Sequence, residues 1–129
     1  MNDYGMRVEF DGTVEAAEEA ITDALKAVGF GILTRIDVAT TLKEKIDVDR
    51  APYVILGACN PKLANQALNL EPELGLMLPC NVIVYQGEEG QTTVSIIDPQ
   101  AMVSMIDNVE LHCLVQEARP LLQKALNSI

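Results

Sequence analysis

The stretch CNVIVYQGEEGQTTVSII, residues 80–97, indicates how this chain folds. Two runs rich in β-branched and apolar residues, 80–85 and 92–97, flank the polar, glycine-containing segment 87–90. Two strand-like runs joined by such a segment are typical of a β-hairpin. The sequence therefore predicts a pair of antiparallel strands in the second half of the chain.

Three further segments earlier in the chain also have strand patterns. Met6, Val8 and Phe10 alternate with charged residues, and a second alternation runs through Phe30, Ile32, Thr34, Ile36 and Val38, as in half-buried strands. The run 52–58, PYVILGA, is almost entirely apolar and predicts a central strand that is covered on both faces. Five strands that include a hairpin favour a largely antiparallel sheet.

The first two predicted helices lie between these strands. Thr13 can cap the first helix and Gly29 can end it. A short helix over residues 41–46 is predicted from Thr41 and Glu44, which have the spacing of a capping box. The apolar stripe of the first helix comprises Val14, Ala17, Ile21, Ala24, Leu25 and Val28.

Later helices begin with a repeated two-residue signal. Asn60-Pro61 and Asp98-Pro99 each combine a favoured cap with a proline suited to the first helical position. The last helix is predicted over about residues 109–126, with Pro120 expected to kink or split it. The sequence thus predicts one α+β domain over residues 1–129, with the helices packed on one side of the sheet.

Composition excludes several classes of protein. With 129 residues, 49% of them apolar, the chain is long enough for one globular domain with its own core. Its formal net charge is -10, so it would repel nucleic acids and anionic membranes, and neither is expected as a partner. No apolar run approaches the roughly 18 residues of a membrane span, and residues 1–7 lack the pattern of a secretion signal. Three cysteines, an odd number, favour a reducing compartment, and we expect a cytoplasmic protein.

The cysteines mark the candidate site. If the strands that end near Cys59, begin at Cys80 and end before Asp98 form a meander, these three residues meet at one rim of the sheet. Two helix starts would open onto that rim, and helix N-termini favour anions and lower the pKa of nearby thiols. Asn60 and Asn81 would supply polar contacts. This hypothesis makes Cys59 a polarised thiol and Cys80 its neighbour or resolving partner.

Simpler interpretations of the same residues remain open. Free cysteines often serve as small buried apolar side chains, and Asn60 and Asp98 could act only as helix caps. A metal site is disfavoured because there is no C-x-x-C and His112 is distant in sequence, so no metal or other cofactor is expected. His112 and Cys113 are adjacent on a helix and do not face the same way, which favours solvent or a subunit contact over a catalytic pair. No nucleophile-elbow, dinucleotide or phosphate-loop motif is present in the sequence.

Four segments resemble one known family across essentially the whole chain. They are GFGILTRIDV at 29–38, ILGACNP at 55–61, GLMLPCNV at 75–82 and IDP at 97–99. They are similar to the bacterial and archaeal family called domain of unknown function 302, in which a lysine also tends to occur at the position of Lys45. The resemblance implies a fold similar to the TATA-binding protein, with β-α-β4-α order and short extra helices here, and a homodimer.

The family resemblance implies no reaction, and some relatives lack both cysteines. Three functions therefore stay open. The first is a homodimeric binding module whose rim at Cys59, Asn60, Cys80, Asn81 and Asp98 binds a small anion or a sulfur species. The second is a thiol-dependent enzyme or sulfur carrier with Cys59 as its nucleophile or persulfide site. The third is a protein that acts only through its dimer or partner surface.

Overall fold

The computed structural model describes residues 4–129, which form a five-stranded antiparallel sheet with helices. The expectation that no secretion signal is present was based on residues 1–7, and residues 1–3 of that segment lie outside the described residues. The strands lie in the order β1-β5-β4-β3-β2, so the last three in sequence form the predicted meander. The α+β class and the antiparallel sheet are therefore confirmed. The strands are β1 (Gly5–Phe10), β2 (Gly31–Asp37), β3 (Tyr53–Cys59), β4 (Cys80–Gln86) and β5 (Thr92–Ile97).

The helices begin at side-chain caps. Thr13 accepts a hydrogen bond from the Ala16 amide at 3.0 Å, and Gly29, just past the end of the first helix, has a φ of 91°, as predicted for a helix stop. Both Asx-Pro pairs start helices as predicted. The helices are α1 (Val14–Ala27), α2 (Val38–Ile46), α3 (Pro61–Leu70), α4 (Pro99–Met102) and α5 (Val109–Asn127), with a 3₁₀ helix over Pro72–Met77.

The main core lies between one face of the sheet and the helices α1 and α5. Ile21 and Leu25 of α1 and Leu122 of α5 are fully buried there against the strands. Burial of each such side chain contributes roughly 1.5–3 kcal/mol. A second apolar cluster, around Leu74 and Leu111, joins the 3₁₀ helix to α3, α4 and α5 beyond the end of the sheet. The candidate site lies at the junction of these two clusters.

Two local predictions around β2 are wrong. The helix α2 begins at Val38, not at Thr41, because the Asp37 carboxylate accepts the Thr40 amide at 3.0 Å and caps the helix one turn earlier. The strand β2 also changes register between Ile32 and Thr34. Such an irregularity reverses which face later side chains occupy, and the alternation read from the sequence does not continue through it.

Other predictions also meet exceptions. Pro120 lies within α5 and does not split it. The run that forms β3 was predicted to be covered on both faces, yet only Val54, Leu56 and Ala58 belong to the core clusters of the described residues. Within residues 4–129 no helix combines the length and the hydropathy required to cross a bilayer.

Candidate functional site

A cavity of about 60 Å³ lies where β3 ends and β4 begins. The helices α3, α4 and α5 border it, and both Cys59 and Cys80 line it. Apart from Asn60, the other described residues around it are apolar. These apolar residues come from both hydrophobic clusters of the core and include Phe30, Ala58, Leu63, Leu74, Val103 and Leu111.

Sheet pairing brings the two thiols together although they are far apart in the sequence. In the antiparallel pair of β3 and β4, Cys80 lies opposite Ala58, the residue next to Cys59. Cys80 is buried with 8% of its surface exposed, whereas Cys59 is half-buried. Cys59 and Cys80 therefore both border one cavity, and the two residues differ in access to solvent.

Burial sets the protonation state of Cys80. Loss of solvent raises the pKa of the Cys80 thiol to about 11, and the nearby Cys59 adds to the rise. The thiolate is the nucleophilic form of cysteine, so Cys80 stays protonated and weakly nucleophilic near neutral pH. Any thiolate chemistry in this cavity therefore depends on Cys59.

Asn60 lies at the cavity and also caps α3. Its side-chain oxygen accepts the Leu63 amide at 3.2 Å, and its carbonyl accepts the Ala64 amide at 2.9 Å. Pro61 has no N–H to offer. The start of α3 therefore uses much of its own donor capacity, which leaves less for an anion than the sequence suggested.

Asp98 lies near the same end of the sheet but does not line the cavity. Its neighbour Pro99 does line it. The Asp98 carboxylate accepts the Gln100 amide at 2.9 Å and caps α4. It also accepts the Arg119 Nε–H, with both oxygens at 3.2 Å. Its two contacts are structural, and the helix that it caps has only four residues.

Asn81 occupies the opposite side of the sheet from Cys80, so its predicted contact with the rim is wrong. Adjacent residues in a strand point to opposite faces. Cys80 faces the helices, whereas Asn81 is exposed and lines a depression together with Tyr53 and Tyr85.

Residues 6–129 match the family described as "Domain of unknown function DUF302". The chain belongs to the DUF302 family. Its fold is similar to that of the crystal structure of an uncharacterized conserved protein DUF302 from Bacillus stearothermophilus, with 29% identity, 98% of each chain covered and a TM-score of 0.91. None of the curated proteins matches it. The family resemblance seen in the four sequence segments is thus confirmed.

Two residues near the site of this DUF302 protein, Arg119 and His112, make contacts that had no signal in its sequence. Arg119, on α5, pairs with Asp98 across the fold. His112 is half-buried: its Nε2–H donates to the Ile106 carbonyl at 2.7 Å, and its Nδ1 lies 3.3 Å from the side-chain nitrogen of Gln100. Since a carbonyl only accepts, this contact requires the proton on Nε2. His112 therefore stabilises the segment that connects α4 to α5, a role that no spacing in the sequence indicates.

The remaining candidate ligands of the DUF302 protein do not converge. Cys113 is exposed on α5 and does not line the thiol cavity. No three His, Cys, Asp or Glu side chains of residues 4–129 are grouped so that they could hold a metal ion.

Asp98 provides a test of how the rim of the DUF302 protein is stabilised. Asp98→Ala removes the cap and the ion pair, so we expect a loss of about 1–2 kcal/mol in the free energy of unfolding. Asp98→Asn keeps a capping oxygen and removes only the charge, so its loss should be about 1 kcal/mol or less. Urea denaturation of both variants measures the difference. Equal losses would show that the cap contributes nothing.

Proposed function

We propose that this protein is a small binding module, acting as a homodimer, that holds a small sulfur species between Cys59 and Cys80. The observation that carries the proposal is that Cys59 and Cys80 both line one small, otherwise nearly apolar cavity. The cavity lies at the edge of the sheet where β3 ends and β4 begins.

The size of the cavity limits its ligand. A water molecule needs roughly 10–15 Å³ of such volume, so 60 Å³ admits only a few heavy atoms. A hydrosulfide or the outer sulfur of a persulfide fits this space, whereas a nucleotide or a sugar does not. Sulfur is also soft and polarisable, which suits an apolar wall.

The electrostatics of the rim favour a weakly charged guest over an extended anion. Among the described residues that line the cavity there is no Lys or Arg. The nearby Asp98 carboxylate carries negative charge, and its partner Arg119 is already paired with it. An ion of high charge would therefore enter an apolar space without a counter-ion, which costs several kcal/mol.

A second candidate function, a sulfur carrier, is supported by the unequal burial of the two thiols. Cys59 is the half-buried thiol and Cys80 the buried one. In this reaction the Cys59 thiolate attacks the outer sulfur of a persulfide, RS–SH. A Cys59 S–S bond forms, the S–S bond of the donor breaks, and RS⁻ leaves, which yields a persulfide on Cys59.

Selective alkylation tests the assignment of Cys59. In a Cys113→Ser background, which removes the exposed thiol, iodoacetamide near neutral pH is expected to modify one site, Cys59, while Cys80 stays protected. Intact-mass measurement counts the adducts, and Cys59→Ser in the same background is the matched control. Alkylation of Cys59 that is no faster than in the urea-unfolded chain would overturn a thiol mechanism.

Sulfur loading separates the two candidate functions. After incubation with sodium polysulfide, a bound guest is expected in the native mass spectrum and is lost on denaturation, whereas a persulfide persists under non-reducing denaturing conditions. Neither signal should appear in Cys59→Ser. If the wild-type chain shows no sulfur adduct in either spectrum, the protein acts without this ligand and only its interaction surface remains as a function.

A further inference from the structure

The face of the sheet opposite α1 and α5, here called the open face, carries a continuous apolar strip. Strand pairing places Arg7, Ser95, Ile83, Ile55 and Ile36 side by side in one row across all five strands. The three isoleucines are adjacent in this row. None of them belongs to either hydrophobic cluster of residues 4–129, and Ile36 is 50% exposed.

Aromatic side chains are concentrated on the same face. The chain has three tyrosines and no tryptophan, and all three tyrosines line one depression of about 350 Å³ there. The rings of Tyr53 and Tyr85 stack with their centroids 5.4 Å apart. Tyrosine is enriched in protein interfaces because it supplies a large, rigid contact area with a polar tip.

The charge of the open face differs from that of the whole chain. On the paired strand residues of this face the charges are Arg7 and Glu9, which cancel. The net charge of -10 therefore lies on the rest of the chain. Two copies repel each other through their other surfaces and have no such repulsion through this one, which favours self-association here.

The arrangement of the two charges suits a two-fold symmetric contact. Arg7 and Glu9 are two residues apart on β1 and point to the same side. A two-fold axis that crosses β1 between them places the Arg7 of each copy against the Glu9 of the other. A symmetric contact is self-complementary in this manner.

The dimensions of the face are sufficient for a specific interface. Five strands at about 4.8 Å spacing and about six residues at 3.3 Å each cover roughly 24 by 20 Å. Two copies would then bury on the order of 1,000 Å² in projection alone, which is the lower limit for a specific interface. The apolar run that forms β3 also has the pattern of a strand covered on both sides.

We infer that the open face is the interface between two copies of this chain, packed sheet against sheet around the isoleucine row and the tyrosine pair. The inference rests on the homodimer of the proposed function but not on the thiol cavity, whose lining belongs to the other side and the end of the sheet.

Light scattering at micromolar concentration tests this interface. The wild-type chain is expected at twice 14.0 kDa, and Ile83→Asp, which places a charge in the centre of the strip, at 14.0 kDa. The loss of the dimer in Ile83→Asp corresponds to an increase in the dimer dissociation constant of about 30-fold or more, as for other central interface residues. Leu76→Asp is the matched control because Leu76 is 85% exposed outside the open face, and this variant should remain dimeric.

A charge exchange provides a test that does not depend on whether the fold tolerates an aspartate in the isoleucine row. Arg7→Glu alone should weaken the dimer, and the double change Arg7→Glu with Glu9→Arg should restore it, because the two-fold contact is regenerated. A monomeric wild type would overturn the inference together with the homodimer. A dimer that survives Ile83→Asp and Arg7→Glu, or one that Leu76→Asp dissociates, would overturn the interface alone and leave the thiol proposal to its own test.

Discussion

Replacement of Gly57 by valine is expected to destabilise the fold by about 3 kcal/mol and to disturb the segment that precedes Cys80. A side chain at Gly57 would overlap the Thr34 hydroxyl and come within 2.6 Å of Pro79 Cγ. Thr34 belongs to a paired strand and proline is a rigid ring, so neither neighbour can move aside easily. Overpacking at such positions typically costs about 1–3 kcal/mol, and valine lies at the upper end because of its two methyl groups.

Denaturation with urea measures the loss in free energy of unfolding in Gly57→Val. Alkylation of Cys80 reports the change in the segment that precedes this cysteine. Since Pro79 is displaced, Cys80 should become more reactive in the variant than in the wild type. Gly75→Ala is the matched control, because a Cβ there meets nothing within 4 Å and should change stability by less than about 0.5 kcal/mol. If Gly57→Val has the same denaturation midpoint as the wild type, Thr34 and Pro79 do not pack closely against Gly57.

The stability of the wild-type protein should fall by roughly 2 kcal/mol between about pH 9 and pH 11 through Cys80 alone. Burial raises the pKa of this thiol from 9.0 to about 11 in the folded chain. Below about pH 9 the thiol is protonated in both states, and the raised pKa costs nothing. Between the two values the unfolded chain has lost the proton and the folded chain still holds it, so rising pH favours unfolding.

Comparison of Cys80→Ala with the wild type isolates this contribution from those of all other groups in the chain. The difference in free energy of unfolding between the two proteins should shift by roughly 2 kcal/mol from about pH 8 to pH 11. Cys113→Ala, which changes an exposed thiol, should follow the wild-type curve. Parallel curves for wild type and Cys80→Ala would contradict burial of Cys80.

Features that depend on a few neighbouring residues were predictable from the sequence. The hairpin, the helix starts at Asn60-Pro61 and Asp98-Pro99, and the end of α1 at Gly29 all follow from local backbone preferences. The meander then required Cys59 and Cys80 to approach, because consecutive antiparallel strands have adjacent ends. Single-domain organisation, the likeness to the TATA-binding protein and a cytoplasmic location stay predictions.

Features that depend on distant contacts were not predictable. The pairing of Arg119 with Asp98 and the hydrogen bond of His112 to Ile106 require α4 and α5 to pack in one particular way. The predicted start of α2 was wrong for a local reason. Asp37 competes with Thr41 as the cap of α2, and the position of Asp37 at the end of β2 favours Asp37. The register change in β2 also lacked a signal, because it depends on how β3 pairs with it.

By itself, the sequence determined the class of fold, the family and the approach of the two strand ends that carry Cys59 and Cys80. Tertiary structure decided that Asn81 faces away from those thiols, that Asp98 is held by Arg119, and that Cys80 is buried while Cys59 remains accessible. The physical reason is that backbone preferences and strand alternation act over a few residues. Burial, counter-charges and the covering of a face arise only when segments far apart in the chain pack together.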